Sequence, residues 1–332
     1  MAAFFLGAAG ARDMRYSKRL TGLLLGLAAV LAVRSAGAQA LPAGYAGKAE
    51  CLTCHEKDLG HMDNTGHGKR ILQEPRTALE KLGCEACHGP AKAHAESGGD
   101  VKTGMVLFGK KPSSAQARND ACLQCHEKSN QASFEGGKHA RRNVACASCH
   151  SLHNPMSVTG QLKTKTETET CFSCHKTQRS QGLRTSHHPL REGKMTCSSC
   201  HNPHDGNSPK MVKGESVNEL CYTCHTEKRG PFLFEHAPMM EDCVTCHAPH
   251  GSSHNRMLNQ KMPNLCWNCH LTGSGHFGSG DNYSTEKGVP QAPLGAITGY
   301  PTVNSRFIGR GCTKCHANIH GSNSPSGAYF IR

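Results

Sequence analysis

The chain has 332 residues, of which 36% are hydrophobic and 5% aromatic, and it carries 20 cysteines and a formal net charge of +13. A soluble chain of this length normally has nearly half of its residues apolar, so these side chains do not suffice to fill a core of that size. Charged residues make up only 19%, and the 36 glycines and 23 histidines are scattered along the chain, which argues against disorder. Composition therefore indicates that something other than protein supplies the interior.

The first forty residues have the features of a secretory signal. A basic segment precedes an apolar stretch over residues 21–33, and the small residues 36–40 offer a cleavage site. Because this apolar stretch is too short to span a bilayer as a helix, we favour a cleaved signal peptide, residues 1–40, over an uncleaved anchor. Since no cysteine precedes Cys51, a lipid-anchored cysteine at the cleavage site is not expected. The exported domain is predicted to comprise residues 41–332.

All 20 cysteines lie in Cys-x-x-Cys pairs, and a histidine directly follows every pair. Disulfides, zinc ribbons and a thioredoxin-like site give no reason for these ten histidines. C-x-x-C-H is the signature of c-type haem attachment, in which both thiols form thioether bonds with haem and the histidine can ligate the iron. The predicted haem-attaching cysteines are Cys51, Cys54, Cys84, Cys87, Cys122, Cys125, Cys146, Cys149, Cys171, Cys174, Cys197, Cys200, Cys221, Cys224, Cys243, Cys246, Cys266, Cys269, Cys312 and Cys315. The attached histidines, predicted to be proximal iron ligands, are His55, His88, His126, His150, His175, His201, His225, His247, His270 and His316.

Ten haem c groups account for the unusual composition and charge. Residues 41–332 provide about 29 residues per haem, and burial of ten apolar macrocycles replaces the missing hydrophobic core. This segment has 33 basic and 24 acidic residues, a net charge of +9, which twenty propionates and ten ferric bis-imidazole cores change to −1. The basic pairs 110–111, 141–142 and 228–229 are therefore predicted to contact propionates or solvent, and no nucleic-acid partner is expected.

The motifs form five two-haem units, with a period of 49 to 50 residues in the middle of the chain. Each unit contains a first motif, a middle histidine, a second motif and a trailing histidine. The units span residues 51–94, 122–153, 171–204, 221–250 and 266–320. The first and last units fit more loosely, and the last contains a haem-free insertion over residues 271–311.

Thirteen histidines lie outside the motifs, and the repeat selects ten of them as distal iron ligands. These are His67, His94, His139, His153, His187, His204, His236, His250, His276 and His320. His187 is chosen over His188 because the spacing from His187 to the following proline matches that of His236. His61 and His254 also remain unassigned. The supply of histidines therefore matches the demand for ten bis-His irons.

Three trailing histidines, His153, His204 and His250, follow the attached histidine of their motif by only three residues. Such a residue cannot reach around its own haem, so each is predicted to ligate a neighbouring one. We hypothesise that ligation is crossed within a unit, with the trailing histidine serving the first haem and the middle histidine the second. Met239 and Met262 also lie near motifs, but with enough histidines available we expect them to pack.

The predicted fold is a multihaem cytochrome c, mostly irregular with short helices and little or no β structure. Proline and glycine follow the motifs closely, and no long alternating run indicates a strand. Ten bis-His irons leave no coordination position for substrate, which favours electron transfer over catalysis.

The whole segment from Cys51 to His320, with its double units at 187–204 and 236–250, resembles the decahaem cytochromes of the Mtr type. That group includes relatives serving iron oxidation and extracellular dimethyl sulfoxide reduction. The resemblance implies an elongated periplasmic haem chain, associated with the outer membrane through a β-barrel porin. Implied partners are that porin, a periplasmic or inner-membrane quinol-linked cytochrome, and an extracellular multihaem cytochrome, terminal reductase or metal.

Two alternatives remain open. The protein could be a soluble periplasmic electron shuttle that never enters a barrel, or a multihaem reductase with one open iron. His94 and His276 depart furthest from the usual spacing. An open site would therefore lie in the first or the last unit.

Overall fold

The computed structural model describes residues 41–128, 131–204, 208–270 and 311–331. The predicted signal peptide, most of the insertion in the last unit and His276 lie outside these ranges. The described residues contain twelve α-helices, the longest of 12 residues. They are α1 Lys48–His55, α2 Gly66–Gly68, α3 Glu85–His88, α4 Lys92–Glu96, α5 Ala115–His126, α6 Lys138–Arg141, α7 Cys146–Cys149, α8 Glu167–Phe172, α9 Lys176–Gly182, α10 Val217–Tyr222, α11 Ala237–Glu241 and α12 Asn264–His270.

Single 3₁₀ turns and one π-helical turn make up the remaining helical structure. The 3₁₀ turns are Glu56–Leu59, Met62–Asn64, Glu80–Leu82, Cys197–Ser199, Pro209–Met211, Thr226–Lys228, Cys243–Thr245, Asn255–Met257, Cys312–Lys314 and Gly327–Tyr329, and the π turn is Lys69–Gln73. In the ranges that the structure describes, β structure is limited to five isolated bridges. The predicted fold class, short helices in a mostly irregular chain, is confirmed.

The first motifs of units two to four lie on helices whose starts are capped by side chains. Ser114, Thr166 and Ser216 accept hydrogen bonds from backbone N–H groups in the first turns of α5, α8 and α10, at 3.1 to 3.2 Å. Such caps satisfy amides that otherwise lack an intrahelical partner. The short polar stretches before these motifs therefore determine where each haem-attaching helix begins.

The second motif of each internal unit is followed by a loop that folds back on it. We call these the return loops, residues 150–163, 201–213 and 247–259. In each, the residue after the attached histidine donates its N–H to a carbonyl nine or ten residues further along the chain. These hydrogen bonds join Ser151 to Gln161, Asn202 to Met211 and Ala248 to Met257, at 2.7 to 2.8 Å. The acceptor residues have φ between 49° and 55°, in the left-handed region. The repeat in sequence is thus a repeat in backbone geometry.

Hydrogen bonds join consecutive units in chain order. The N–H of His61 donates to the carbonyl of His153 at 2.7 Å, which connects units one and two. Bridges between Ser186 and Ser252 and between Phe234 and Ser322 connect units three to four and four to five. Contacts between neighbouring repeats are typical of a solenoid, in which each unit is stabilised by the next.

The apolar core made by protein side chains is small. Nine hydrophobic residues are buried in the described part of the chain, and four of them are alanines. They are Met62, Ala86, Ala91, Ala121, Phe134, Ala145, Tyr222, Met239 and Leu258. This agrees with the inference from composition that the chain does not fill its own interior. Within the described ranges, none of the helices has the length and apolar character needed to cross a membrane.

Candidate haem-binding site

One continuous cavity of about 4330 Å³ runs through the described residues. It is lined by all ten attached histidines, by nineteen of the twenty motif cysteines and by nine further histidines. Divided among ten motifs, this volume is about 430 Å³ for each, within the range of roughly 300–1,000 Å³ for sites that enclose a small molecule. The cavity therefore follows the motifs and has room for a cofactor at each.

Nine attached histidines each face a second histidine ring across this cavity, with ring centroids 5.8 to 6.4 Å apart. In chain order the pairs are His55 with His94, His88 with His153, His126 with His67, His150 with His204, His175 with His139, His201 with His250, His225 with His188, His247 with His320 and His270 with His236.

This separation is that of two imidazoles on one metal ion. With a metal–nitrogen bond of about 2 Å and a ring nitrogen about 1.1 Å from its centroid, the centroids are expected about 6.2 Å apart. None of the twenty motif cysteines forms a disulfide, so both thiols of each motif are available for thioether bonds. The donor set and its spacing fit bis-His haem c at nine motifs.

Eight of the ten distal histidines selected from sequence lie opposite an attached histidine. His187 does not. His188 faces His225 at 6.4 Å, whereas His187 is directed away, with Nδ1 2.6 Å from the carbonyl oxygen of Arg184 and Nε2 3.3 Å from the carboxylate of Glu192. The match to a proline spacing therefore selected the wrong one of two adjacent histidines.

The hypothesis of crossed ligation inside each unit is wrong for the internal units. The middle histidine of a unit faces the first attached histidine of the next unit, as His139 faces His175. The trailing histidine faces the second attached histidine of the preceding unit, as His204 faces His150. His94 alone among the trailing histidines faces an attached histidine of its own unit, His55.

Backbone carbonyls orient most of these rings through Nδ1. The middle histidines His139, His188 and His236 have Nδ1 2.8 to 3.0 Å from the carbonyl oxygen that precedes the trailing histidine of the next unit. The attached histidines of the return loops, such as His201 and His247, donate to carbonyls within those loops. A proton held on Nδ1 leaves the Nε2 lone pair for iron, which is the usual arrangement of a metal-bound histidine.

Burial keeps several of these imidazoles neutral. It is the main cause that lowers the pKa of His67, His88, His204 and His250, and it lowers the pKa of His320 to about 4. Neighbouring histidines lower these pKa values further. Because iron binds the neutral imidazole, the cavity favours the ligating form at neutral pH.

Polar side chains connect the two motifs of a unit, a feature that the sequence analysis missed. The buried amides of Asn119 and Asn218 accept the backbone N–H groups of Cys146 and Cys243, both at 2.8 Å. In unit three, the carboxylate of Glu167 accepts the backbone N–H and the hydroxyl of Ser198, the residue after the first cysteine of the second motif. The shared signal was a polar acceptor three or four residues before the first cysteine of the unit.

The methionines near the motifs pack, as expected. The Sδ of buried Met239 accepts the hydroxyl of Tyr222 at 3.4 Å, and that of Met262 accepts the hydroxyl of Thr313 at 3.4 Å. Three cationic side chains line the cavity, where they can reach carboxylates of a bound group: Lys110, Arg142 and Lys228. These cations fit haem propionates.

Comparison with known proteins gives matches along the chain. Residues 187–230 and 236–274 match the family described as doubled CXXCH motif, residues 84–166 match cytochrome c-type protein NrfB-like, and residues 33–89 match cytochrome c554 and c-prime. A relative from Shewanella baltica (strain OS185), the multihaem cytochrome MtrA, is 40% identical over 287 residues, which is 86% of this chain and 81% of the relative.

Proposed function

Since this chain belongs to the family of multihaem c-type cytochromes that includes MtrA, and is thus an electron carrier, we propose that ten bis-His haems form one relay along it. The observation that carries the proposal is the series of nine histidine pairs in one continuous cavity. The tenth iron is assigned His316 and, from the sequence repeat, His276.

Thiol contacts support close approach of consecutive haems. Inside units, the thiols of the first cysteines of the two motifs lie close enough to shift each other's pKa, as do those of Cys122 and Cys146. Between units, the second cysteines are neighbours, as in Cys149 with Cys174. These two contacts alternate along the chain, so each haem would have its sequence neighbours on either side. Electrons tunnel efficiently only over short gaps, and such an order serves that need.

Haem c supplies an iron that cycles between Fe(III) and Fe(II). In each motif two cysteines would attach the macrocycle, and two imidazoles would hold its iron. With both axial positions taken by histidine, these residues favour electron exchange over substrate binding. Cations at the cavity wall would neutralise propionates.

We further propose that the relay works as a conduit across the outer membrane, inside a β-barrel porin. It would accept electrons from, or deliver them to, a periplasmic or inner-membrane quinol-linked cytochrome, and exchange them outside with a multihaem cytochrome, a terminal reductase or a metal. The similarity to MtrA and the linear order of the units support this role. The periplasm is then the location of the chain, held at the outer membrane by the porin.

Low-temperature EPR with near-infrared magnetic circular dichroism tests the ligation, after pyridine haemochrome has fixed the haem count. Ten low-spin haems with bis-imidazole signatures are expected. One high-spin haem would instead support the alternative of a reductase with an open iron.

Liposomes test the conduit. They enclose a reduced dye and carry a candidate porin with this chain, and Fe(III) is added outside. Dye oxidation is expected with both proteins but not with either alone. Failure of the pair, together with a purified chain that exchanges electrons with periplasmic cytochromes in solution, would favour a soluble shuttle.

A further inference from the structure

The return loop of unit two differs from its counterparts at one position. Gln161, Met211 and Met257 occupy equivalent places, because each carbonyl accepts the N–H of the residue after an attached histidine and each residue has a left-handed backbone. All three line the cavity. The first is polar and the other two are apolar, so the cavity wall of this loop carries a functional group that the others lack.

The side chain of Gln161 contacts a distal ligand. Its Oε1 lies 2.6 Å from Nδ1 of His67, the histidine that faces His126. The corresponding middle histidines of units two to four have a backbone carbonyl at Nδ1 instead. Among these four middle histidines, only His67 thus has a side chain as its Nδ1 partner.

The residue before Gln161 contacts the next iron site. The carbonyl oxygen of Gly160 lies 2.5 Å from Nδ1 of His150, which faces His204. The dipeptide 160–161 therefore connects an axial ligand of the third haem to an axial ligand of the fourth.

The other end of the amide is buried without a protein partner. With Oε1 facing His67, Nε2 of Gln161 is shielded from solvent and makes no hydrogen bond to any described residue. A buried amide donor without an acceptor is costly, on the order of 1–3 kcal/mol. Since Nε2 is closed off from the open cavity as well, the amide acts on the haem site through Oε1 and His67 alone.

We propose that Gln161 is a positioning residue that accepts a hydrogen bond from Nδ1–H of His67 through Oε1. This inference rests on the bis-His ligation proposed above. A hydrogen bond accepted from Nδ1–H raises the basicity of the imidazole, which stabilises Fe(III) and lowers the reduction potential of its haem. At the third haem Gln161 thus supplies from a side chain the acceptor that a backbone carbonyl supplies to the middle histidines of units two to four.

Redox titration of the fully loaded protein tests the effect on potential. In Gln161→Met, which introduces the residue of the other return loops, one of ten haems is expected to titrate at a higher potential than in the wild type. In Gln161→Glu, a charged acceptor is expected to shift that haem to a lower potential. Met211→Gln is the matched control and is expected to leave the titration unchanged, because His139 donates to a carbonyl.

Shifts of potential in the same direction for the two Gln161 variants, or none, would overturn the proposal. If Gln161→Met binds fewer than ten haems, the comparison of haem potentials between Gln161→Glu and the wild type decides the test.

The variant His67→Ala separates this proposal from the one on which it rests. One high-spin haem in its EPR spectrum would support ligation by His67. If the haem potentials of the Gln161 variants were then unchanged, only the proposed role of Gln161 would be refuted. Ten low-spin haems in His67→Ala would refute the ligation itself.

Discussion

The first unit and the internal units hold their first haem site in different ways. In the first unit both facing histidines, His55 and His94, belong to the same unit. In units two to four the second histidine comes from the preceding unit, as His139 does for His175. Iron at an internal site would therefore crosslink two units, whereas iron at the first site closes a unit on itself.

The attached histidines also differ in the partner of Nδ1. The side chain of His55 is 52% exposed, and its Nδ1 lies 2.7 Å from the carboxylate of Asp58, itself 74% exposed. Internal attached histidines such as His201 and His247 have backbone carbonyls at Nδ1. Exposure does not separate the end from the interior, because the side chain of His225 at an internal first site is 56% exposed. The two kinds of site differ in which unit supplies the second histidine. This comparison yields four predictions, given from the largest expected effect to the smallest.

Without haem attachment, neither the first unit nor the internal units should fold stably. Nine buried hydrophobic residues in the described ranges are far too few to hold five units together. We expect the chain produced without haem attachment to lack cooperative unfolding in circular dichroism. A compact apoprotein with a sharp thermal transition would contradict this account.

Removing both iron links of one junction should separate the two units there. His67 and His153 connect units one and two through the sites at His126 and His88. The double variant His67→Ala/His153→Ala is expected to hinge at this junction and to be cleaved there by protease. His94→Ala, which opens a site within a single unit, is the control.

Small-angle X-ray scattering provides the second measurement for this pair. A compact globule of 292 residues would have a radius of gyration near 19 Å, and we expect a clearly larger value for the wild type. A change of the scattering profile in the double variant but not in His94→Ala would sharpen the contrast between junction and end. Identical scattering profiles and protease cleavage rates for the two variants would argue against this contrast.

Replacing one of two adjacent histidines should open one internal iron. His188→Ala is expected to convert one haem from low spin to high spin, because His188 is the ring that faces His225. His187→Ala should keep ten low-spin haems, since His187 contacts Arg184 and Glu192. EPR of the two variants distinguishes them, and the reverse result would restore His187 as the ligand.

Loss of a connection inside a unit should have the smallest effect. Asn218→Ala leaves the N–H of Cys243 without its acceptor and is expected to lower the free energy of unfolding by about 1–3 kcal/mol. The exposed Asn64 serves as control, and Asn64→Ala should change stability by less than about 0.5 kcal/mol. Equal midpoints in denaturant for both variants would argue against a connecting role of Asn218.

Sequence reasoning was strongest where the chemistry is local. The spacing of cysteines and histidines indicated covalent haem attachment, and proline and glycine after the motifs indicated short helices, which the structure has. It failed where two candidates share the same local context. His187 and His188 differ by one position, and only the packing of unit three against unit four decides which ring enters the cavity.

The sequence by itself determined that this protein is a multihaem cytochrome with enough histidines for two ligands at each iron. Attachment of haem c requires two thiols and an imidazole within five consecutive residues, and such a requirement is written directly in the chain. Only the tertiary structure decided which distal histidine faces which attached one. His247 and His320 lie 73 positions apart, and their rings meet at 6.2 Å because successive units pack end to end. Ligation between units depends on that packing, and no local pattern encodes it.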